Sequence, residues 1–111
     1  MNRVFKALSD PARRRVLQLL REGPLSAGEL SEHFAVSKPT MSAHFAVLQD
    51  AGLVEAEKSG RTIYYRLKMS VLEDALLGFA HTLGWEMQSP AHARRRSQNV
   101  AAKRRALKMG V

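Results

Sequence analysis

Mainly α with one β-hairpin is the fold class the sequence predicts, and three observations predict it. Apolar residues recur at helical spacing from Val4 to Leu48. The period drops to two between Leu53 and Leu67, and helical spacing returns from Val71 to Trp85. Cap and stop residues cut the first stretch into four short helices. A chain of 111 residues makes one domain, long enough to bury a core without covalent staples.

Each element has its own signal. Val4, Phe5 and Leu8 predict a short first helix. Ser9-Asp10-Pro11 supplies a cap and a first-turn proline for the second, which carries Val16, Leu17 and Leu20 and stops at Gly23-Pro24. Ser26 and Glu29 have the spacing of a capping box ahead of Leu30 and Phe34, so a third helix is expected over roughly 27–34. Ala35-Val36-Ser37 is then a tight connection. Ser37 caps a fourth helix that has Pro39 in its first turn, carries Met41, Phe45 and Leu48, and ends at Gly52.

Two short helices joined by about three residues make a helix-turn-helix. Its expected inner set is Leu30, Phe34, Val36, Met41, Phe45 and Leu48. The outer face of the fourth helix carries Lys38, Thr40, Ser42, Ala43, Ala46, Val47 and Asp50, with His44 beside it. That face is small and polar at its N-terminal end, as a helix entering a groove requires.

After Gly52, Leu53–Glu57 and Thr62–Leu67 alternate around Lys58-Ser59-Gly60-Arg61 and predict a hairpin with two bases at its tip. Ile63, Tyr65 and Leu67 share one face; Thr62, Tyr64 and Arg66 share the other. A hairpin directly after a helix-turn-helix makes it winged. Ser70 is read as the cap of a last helix over roughly 71–87, apolar around most of its circumference. Such a helix is covered on more than one side. The expectation is therefore a homodimer through the first and last helices, using Val4, Phe5, Leu8, Leu72, Leu76, Phe79 and Leu83.

Charge divides the chain unevenly. Residues 1–89 hold 11 bases and 10 acids, whereas residues 90–111 hold seven bases and no acid. The reading is a nearly neutral DNA-binding and dimerisation domain over 1–89 and a basic tail over 90–111, either a disordered or a helical extension, adding sequence-independent attraction to nucleic acid. Cysteine is absent, which removes disulfides, thiolate catalysis and thiolate metal sites. With no signal-like start and no apolar run of membrane length, a cytoplasmic protein without membrane association is expected. No nucleophile–base pair, phosphate loop or carboxylate dyad stands out, so no enzyme is expected.

In order and spacing, the motifs resemble the ArsR/SmtB winged-helix repressors. They run Ser26–Glu29, Ser37-x-Pro39-Thr40-x-Ser42-x-His44, Leu48-x-x-Ala51-Gly52-Leu53-Val54 and Gly60-Arg61-x-x-x-Tyr65. The opening Val4-Phe5-Lys6-Ala7-Leu8-Ser9-Asp10-Pro11-x-Arg13-Arg14 and the closing Ile63-Tyr64-Tyr65-x-Leu67 are similar to the autorepressor subgroup named for SdpR. The resemblance covers about residues 2–85 and implies a dimeric repressor that binds operator DNA and releases it on a signal. Metal sensors of the family carry cysteines where this chain has Ser26 and Gly28, or Asp and His pairs along the last helix. Here that helix offers Glu73, Asp74, His81 and Glu86, so no metal or cofactor is expected.

The candidate DNA contacts are Ser37, Lys38, Pro39, Thr40, Ser42, Ala43 and His44 on the fourth helix, with Lys58, Arg61 and Tyr64 on the wing. Lys38 and the helix N-terminus suit a phosphate, and the small polar residues suit base edges. The run Arg13-Arg14-Arg15 is either a phosphate contact or a solvated helix face. The expected partner is a pseudo-palindromic double-stranded operator, and relief comes from a small molecule, a partner protein or dilution. The alternative is a winged-helix module that binds RNA or a protein, its affinity supplied by the tail.

Overall fold

The computed structural model describes residues 2–85, so the tail over 90–111 and the boundary at 89 lie outside the described residues. Five α-helices and three strands follow in the order α1 (Asn2–Leu8), α2 (Pro11–Leu19), β1 (Leu25–Ser26), α3 (Ala27–Ser31), α4 (Lys38–Asp50), β2 (Val54–Ser59), β3 (Thr62–Leu67) and α5 (Met69–Thr82). A 3-10 turn, Leu20–Glu22, extends α2. The chain divides into two compact units within α5, between Leu76 and Leu77.

Caps set the helix starts as the sequence predicts. Asp10 caps α2, accepting from the Ala12 and Arg13 N–H groups at 2.8 and 3.3 Å. The capping box of α3 is complete: Glu29 N–H donates to Ser26 Oγ at 3.0 Å, and Ser26 N–H donates to Glu29 Oε1 at 3.2 Å. Ser37 caps α4, with Pro39 in the first turn.

Stops are less faithfully predicted. α3 ends at Ser31 rather than near 34, so six residues, 32–37, make the turn of the helix-turn-helix. Val36 accordingly leaves the expected inner set and is 47% exposed. α5 begins at Met69, which puts Ser70 inside the helix instead of at its cap, and it stops at Thr82 rather than near 87. Gly84 N–H bonds His81 O and Trp85 N–H bonds Ala80 O, at 3.0 and 2.8 Å. These are the paired bonds of a Schellman stop. α4 ends in the same way, through Gly52 to Gln49 O and Leu53 to Leu48 O.

The sheet order is β1-β3-β2, antiparallel throughout. β1 is absent from the sequence reading, because it is only two residues long and its second, Ser26, is also the cap of α3. Its pairing of Leu25 with Tyr65 and Ser26 with Tyr64 anchors the hairpin beside the helices. The wing loop is tighter than expected: Ser59 pairs with Thr62, leaving Gly60 and Arg61 as a two-residue turn. Gly60 has φ +62°, a conformation that glycine adopts without a Cβ penalty.

The first unit has one apolar core. Val16, Leu30, Met41, Leu48 and Leu53 are its largest fully buried side chains, and truncating such a residue to alanine costs ~2–5 kcal/mol. Phe45 and Tyr65 join α4 to β3, their ring centroids 4.7 Å apart. Val71, Leu72 and Ala75 bring the first half of α5 onto this core.

Candidate nucleic-acid interface

α4 has two faces. Met41, Phe45 and Leu48 are buried, while Lys38, Pro39, Thr40, Ser42, Ala43, Ala46 and Asp50 are exposed. At ~100° per residue, Ala43 stands opposite the buried stripe, with Pro39, Ala46 and Asp50 around it. Val47, read as outer, is half-buried and packs against the core. Ser37 Oγ accepts from Thr40 N–H at 3.3 Å and lies 2.9 Å from Thr40 Oγ1, so the two hydroxyls share one hydrogen bond at the helix start. Among the described residues Lys38 has no ion-pair partner.

The wing register separates residues the sequence reading placed together. Lys58 pairs with Ile63, whereas Tyr64 pairs with Glu57 and Ser26. Cross-strand partners share a face, and successive residues alternate faces. Lys58 therefore lies on the Ile63 and Tyr65 side and Tyr64 on the opposite side. Tyr64's side also carries Glu55 and Glu57, which pair diagonally with Lys68 at 3.6 Å and Arg66 at 3.8 Å. On that face the two carboxylates are matched by the two bases they pair with, and Tyr64 is 38% exposed beside them. Arg61 is exposed in the turn, and neither it nor Lys58 has an ion-pair partner among the described residues.

His44 differs from its neighbours. It is half-buried, and its Nδ1 lies 3.3 Å from the Arg13 guanidinium. The same guanidinium donates from Nε to Ala7 O at 2.7 Å and from its second terminal nitrogen to Lys6 O at 3.0 Å. Arg14 donates to Leu8 O at 2.8 Å and Arg15 to Gln18 Oε1 at 3.0 Å. Arg14 and Arg15 are exposed, as the solvated-face reading expects, whereas Arg13 is half-buried and turned onto α1 and His44. Arg13 and Arg14 satisfy the last carbonyls of α1, which a seven-residue helix leaves without internal partners. Desolvation pushes the Asp10 carboxyl up, but the Ala12 and Arg13 N–H groups and the charges of His44 and Arg13 outweigh it. The group titrates below the ordinary 3.8.

Of the residues expected at a dimer interface, Val4 is 5% exposed within the chain's own core, which leaves no surface for a partner. Phe5, Leu8 and Leu72 are half-buried. Leu76, Phe79 and Leu83 are 37, 46 and 65% exposed, and Leu77 and Trp85 add to the exposed apolar side chains.

The resembled metal sensors carry cysteines at two positions that here hold Ser26 and Gly28. Ser26 Oγ is occupied as a cap, Gly28 has no side chain, and no cluster of three His, Asp or Glu residues occurs among the described residues. Nor is any helix among them long and apolar enough to cross a membrane.

A model of the helix-turn-helix domain matches residues 8–57. The transcriptional repressor SdpR of Bacillus subtilis (strain 168) is 46% identical over 76 residues, covering 68% of this chain and 84% of that protein. The arsenical resistance operon repressor of Staphylococcus aureus is 40% identical over 76 residues, 68% of this chain and 73% of the relative. The crystal structure of an ArsR family transcriptional regulator superposes with a TM-score of 0.70 at 30% identity, covering 75% of this chain and 91% of that one.

Proposed function

The chain belongs to the ArsR/SmtB-type winged-helix repressors of the SdpR type, and from that premise we propose that it works as a homodimer on a pseudo-palindromic DNA operator, repressing transcription by covering a promoter. The observation that carries this reading is the outer face of α4. Its N-terminal turns present Ser37, Lys38, Thr40 and Ser42 to solvent around Pro39 and Ala43, with nothing bulky to hold the helix out of a major groove. Lys38 and the helix N-terminus meet phosphates; Thr40 and Ser42 reach base edges. Ala43 offers a methyl group to thymine.

Lys58 and Arg61 follow the flanking backbone from the wing, and His44 contributes through Nε2. Tyr64, exposed on the opposite strand face beside Arg66, adds a hydroxyl to the wing contacts. Two copies of α4 would enter successive major grooves roughly 34–36 Å apart. Regulation is by occupancy, with no chemical step and no cofactor, and it takes place in the cytoplasm. The tail over 90–111 adds salt-sensitive attraction to any DNA.

Fluorescence anisotropy with the duplex upstream of the protein's own gene tests this, at ~0.15 M salt with excess random competitor. Competitor-resistant binding near 10⁻⁸ M or tighter is expected, against roughly 10⁻⁴–10⁻⁶ M for non-specific DNA. Ser42→Ala and Lys38→Ala should each weaken it. Binding that survives both changes and disappears on deletion of 90–111 would transfer the function to the tail.

A further inference from the structure

We propose that Arg13 is a positioning residue for DNA reading. It ties the end of α1 to the ring of His44 and so fixes which ring nitrogen α4 offers as a donor. The inference rests on the DNA-binding reading above and deepens it. Its basis is the chemistry of a guanidinium, which has five N–H donors and no acceptor. Three of its nitrogens are engaged, with Ala7 O at 2.7 Å, Lys6 O at 3.0 Å and His44 Nδ1 at 3.3 Å.

Because Arg13 can only donate, Nδ1 must accept. The hydrogen of the neutral ring then resides on Nε2. One side chain therefore selects the tautomer of a residue on the DNA-reading helix, and with it the ring's hydrogen-bonding character toward a base edge or phosphate. Arg13 is itself held: its backbone N–H donates to the Asp10 cap at 3.3 Å. Its two carbonyl partners sit in the last turn of α1, so the His44 ring is referenced to that helix as well as to α2. At the other end of α4, Arg3 of α1 lies 3.8 Å from Asp50. That pair is exposed on both sides and adds little, so the tie between α4 and α1 runs through Arg13 of α2.

Two measurements test the inference. Long-range ¹H–¹⁵N spectra of the free full-length protein at mildly alkaline pH should show His44 as the Nε2–H tautomer, and Arg13→Met should abolish that single state. The second uses the tightest duplex recovered by in vitro selection with wild-type protein, alongside a random duplex of the same length. Arg13→Met should lose roughly ten-fold or more in affinity for the selected duplex, the size of one hydrogen bond to a charged group, and keep its affinity for the random one. If Arg13 acts through His44, the double variant Arg13→Met/His44→Ala binds no more weakly than His44→Ala alone.

Additive losses, an Nδ1–H tautomer in the wild type, or unchanged selected-duplex affinity in Arg13→Met would each overturn the proposal. A wild-type protein that recovers no preferred duplex would instead overturn the DNA-reading function, while the tautomer measurement still decides the Arg13–His44 tie. Cooperative thermal unfolding of each variant shows that it is folded.

Discussion

Asp10 shows how much one side chain can do here. Its carboxylate caps α2, and despite desolvation the Ala12 and Arg13 N–H groups, with the Arg13 guanidinium nearby, hold it below its ordinary 3.8. A carboxyl with a depressed folded-state pKa contributes stability above its unfolded pKa and loses it as pH falls through the folded one. Asp10→Asn keeps a capping oxygen and removes the charge. Wild type should therefore melt at a higher temperature than Asp10→Asn by a constant margin above about pH 5, a margin that shrinks toward zero as acid protonates the carboxylate. Paired thermal melts across pH 3–7 read this directly. A margin that grows on acidification would show that the charge is unfavourable in the fold.

At the scale of elements, the exit of α4 depends on Gly52. With φ +75° it closes the Schellman stop, which turns the chain so that Leu53 and Val54 are buried as β2 begins. A Cβ added there would meet Val71 methyls at 3.7 and 3.8 Å, ordinary contacts, so the cost of Gly52→Ala is conformational rather than steric. That cost should be ~1–2 kcal/mol, seen in urea as a lower midpoint with unchanged slope. Elements of this kind were legible from the sequence because a cap or a glycine is a local cause. The Ser26–Glu29 box, the Ser37 cap and the Gly52 stop form as read, and the period-two hairpin forms with a shorter turn than read. What was missed has non-local causes. β1 exists because β3 comes back to pair with it, and Val36 is exposed because α3 ends three residues early. Arg13, six residues from Ala7 and 31 from His44, is read correctly only once three helices have met. Gly84 is a local signal that outweighs the apolar run: a glycine at the end of such a run stops the helix short of 87.

For the whole molecule, the exposed apolar seam of α5 raises a question of magnitude. Leu72, Leu76 and Phe79 of α5, with Leu83 one residue past its end, recur at the four-three-four spacing of a helix packed along a partner. Leu76, Phe79 and Leu83 still expose 37, 46 and 65% of their surface. Covering a large apolar side chain completely gains ~1.5–3 kcal/mol, so covering these exposed fractions on each protomer gains several kcal/mol. Association costs an estimated ~4–15 kcal/mol, so the α5 seam is at best marginal alone, and the proposed dimer also needs α1, where Phe5 and Leu8 remain half-buried. A two-fold interface repeats every change on both subunits. Leu83→Lys therefore brings two cations into the seam, while a cation near a helix C-terminus leaves α5 itself unharmed. The variant should sediment as a monomer at micromolar concentration, and wild type, on the proposed dimer, as twice that mass. Its operator affinity should fall by ~100-fold or more, because each half-site is then bound without the other. The added charge attracts DNA, so a loss of affinity cannot be electrostatic. A Leu83→Lys protein that stays dimeric and keeps its operator affinity would place the interface elsewhere than α5.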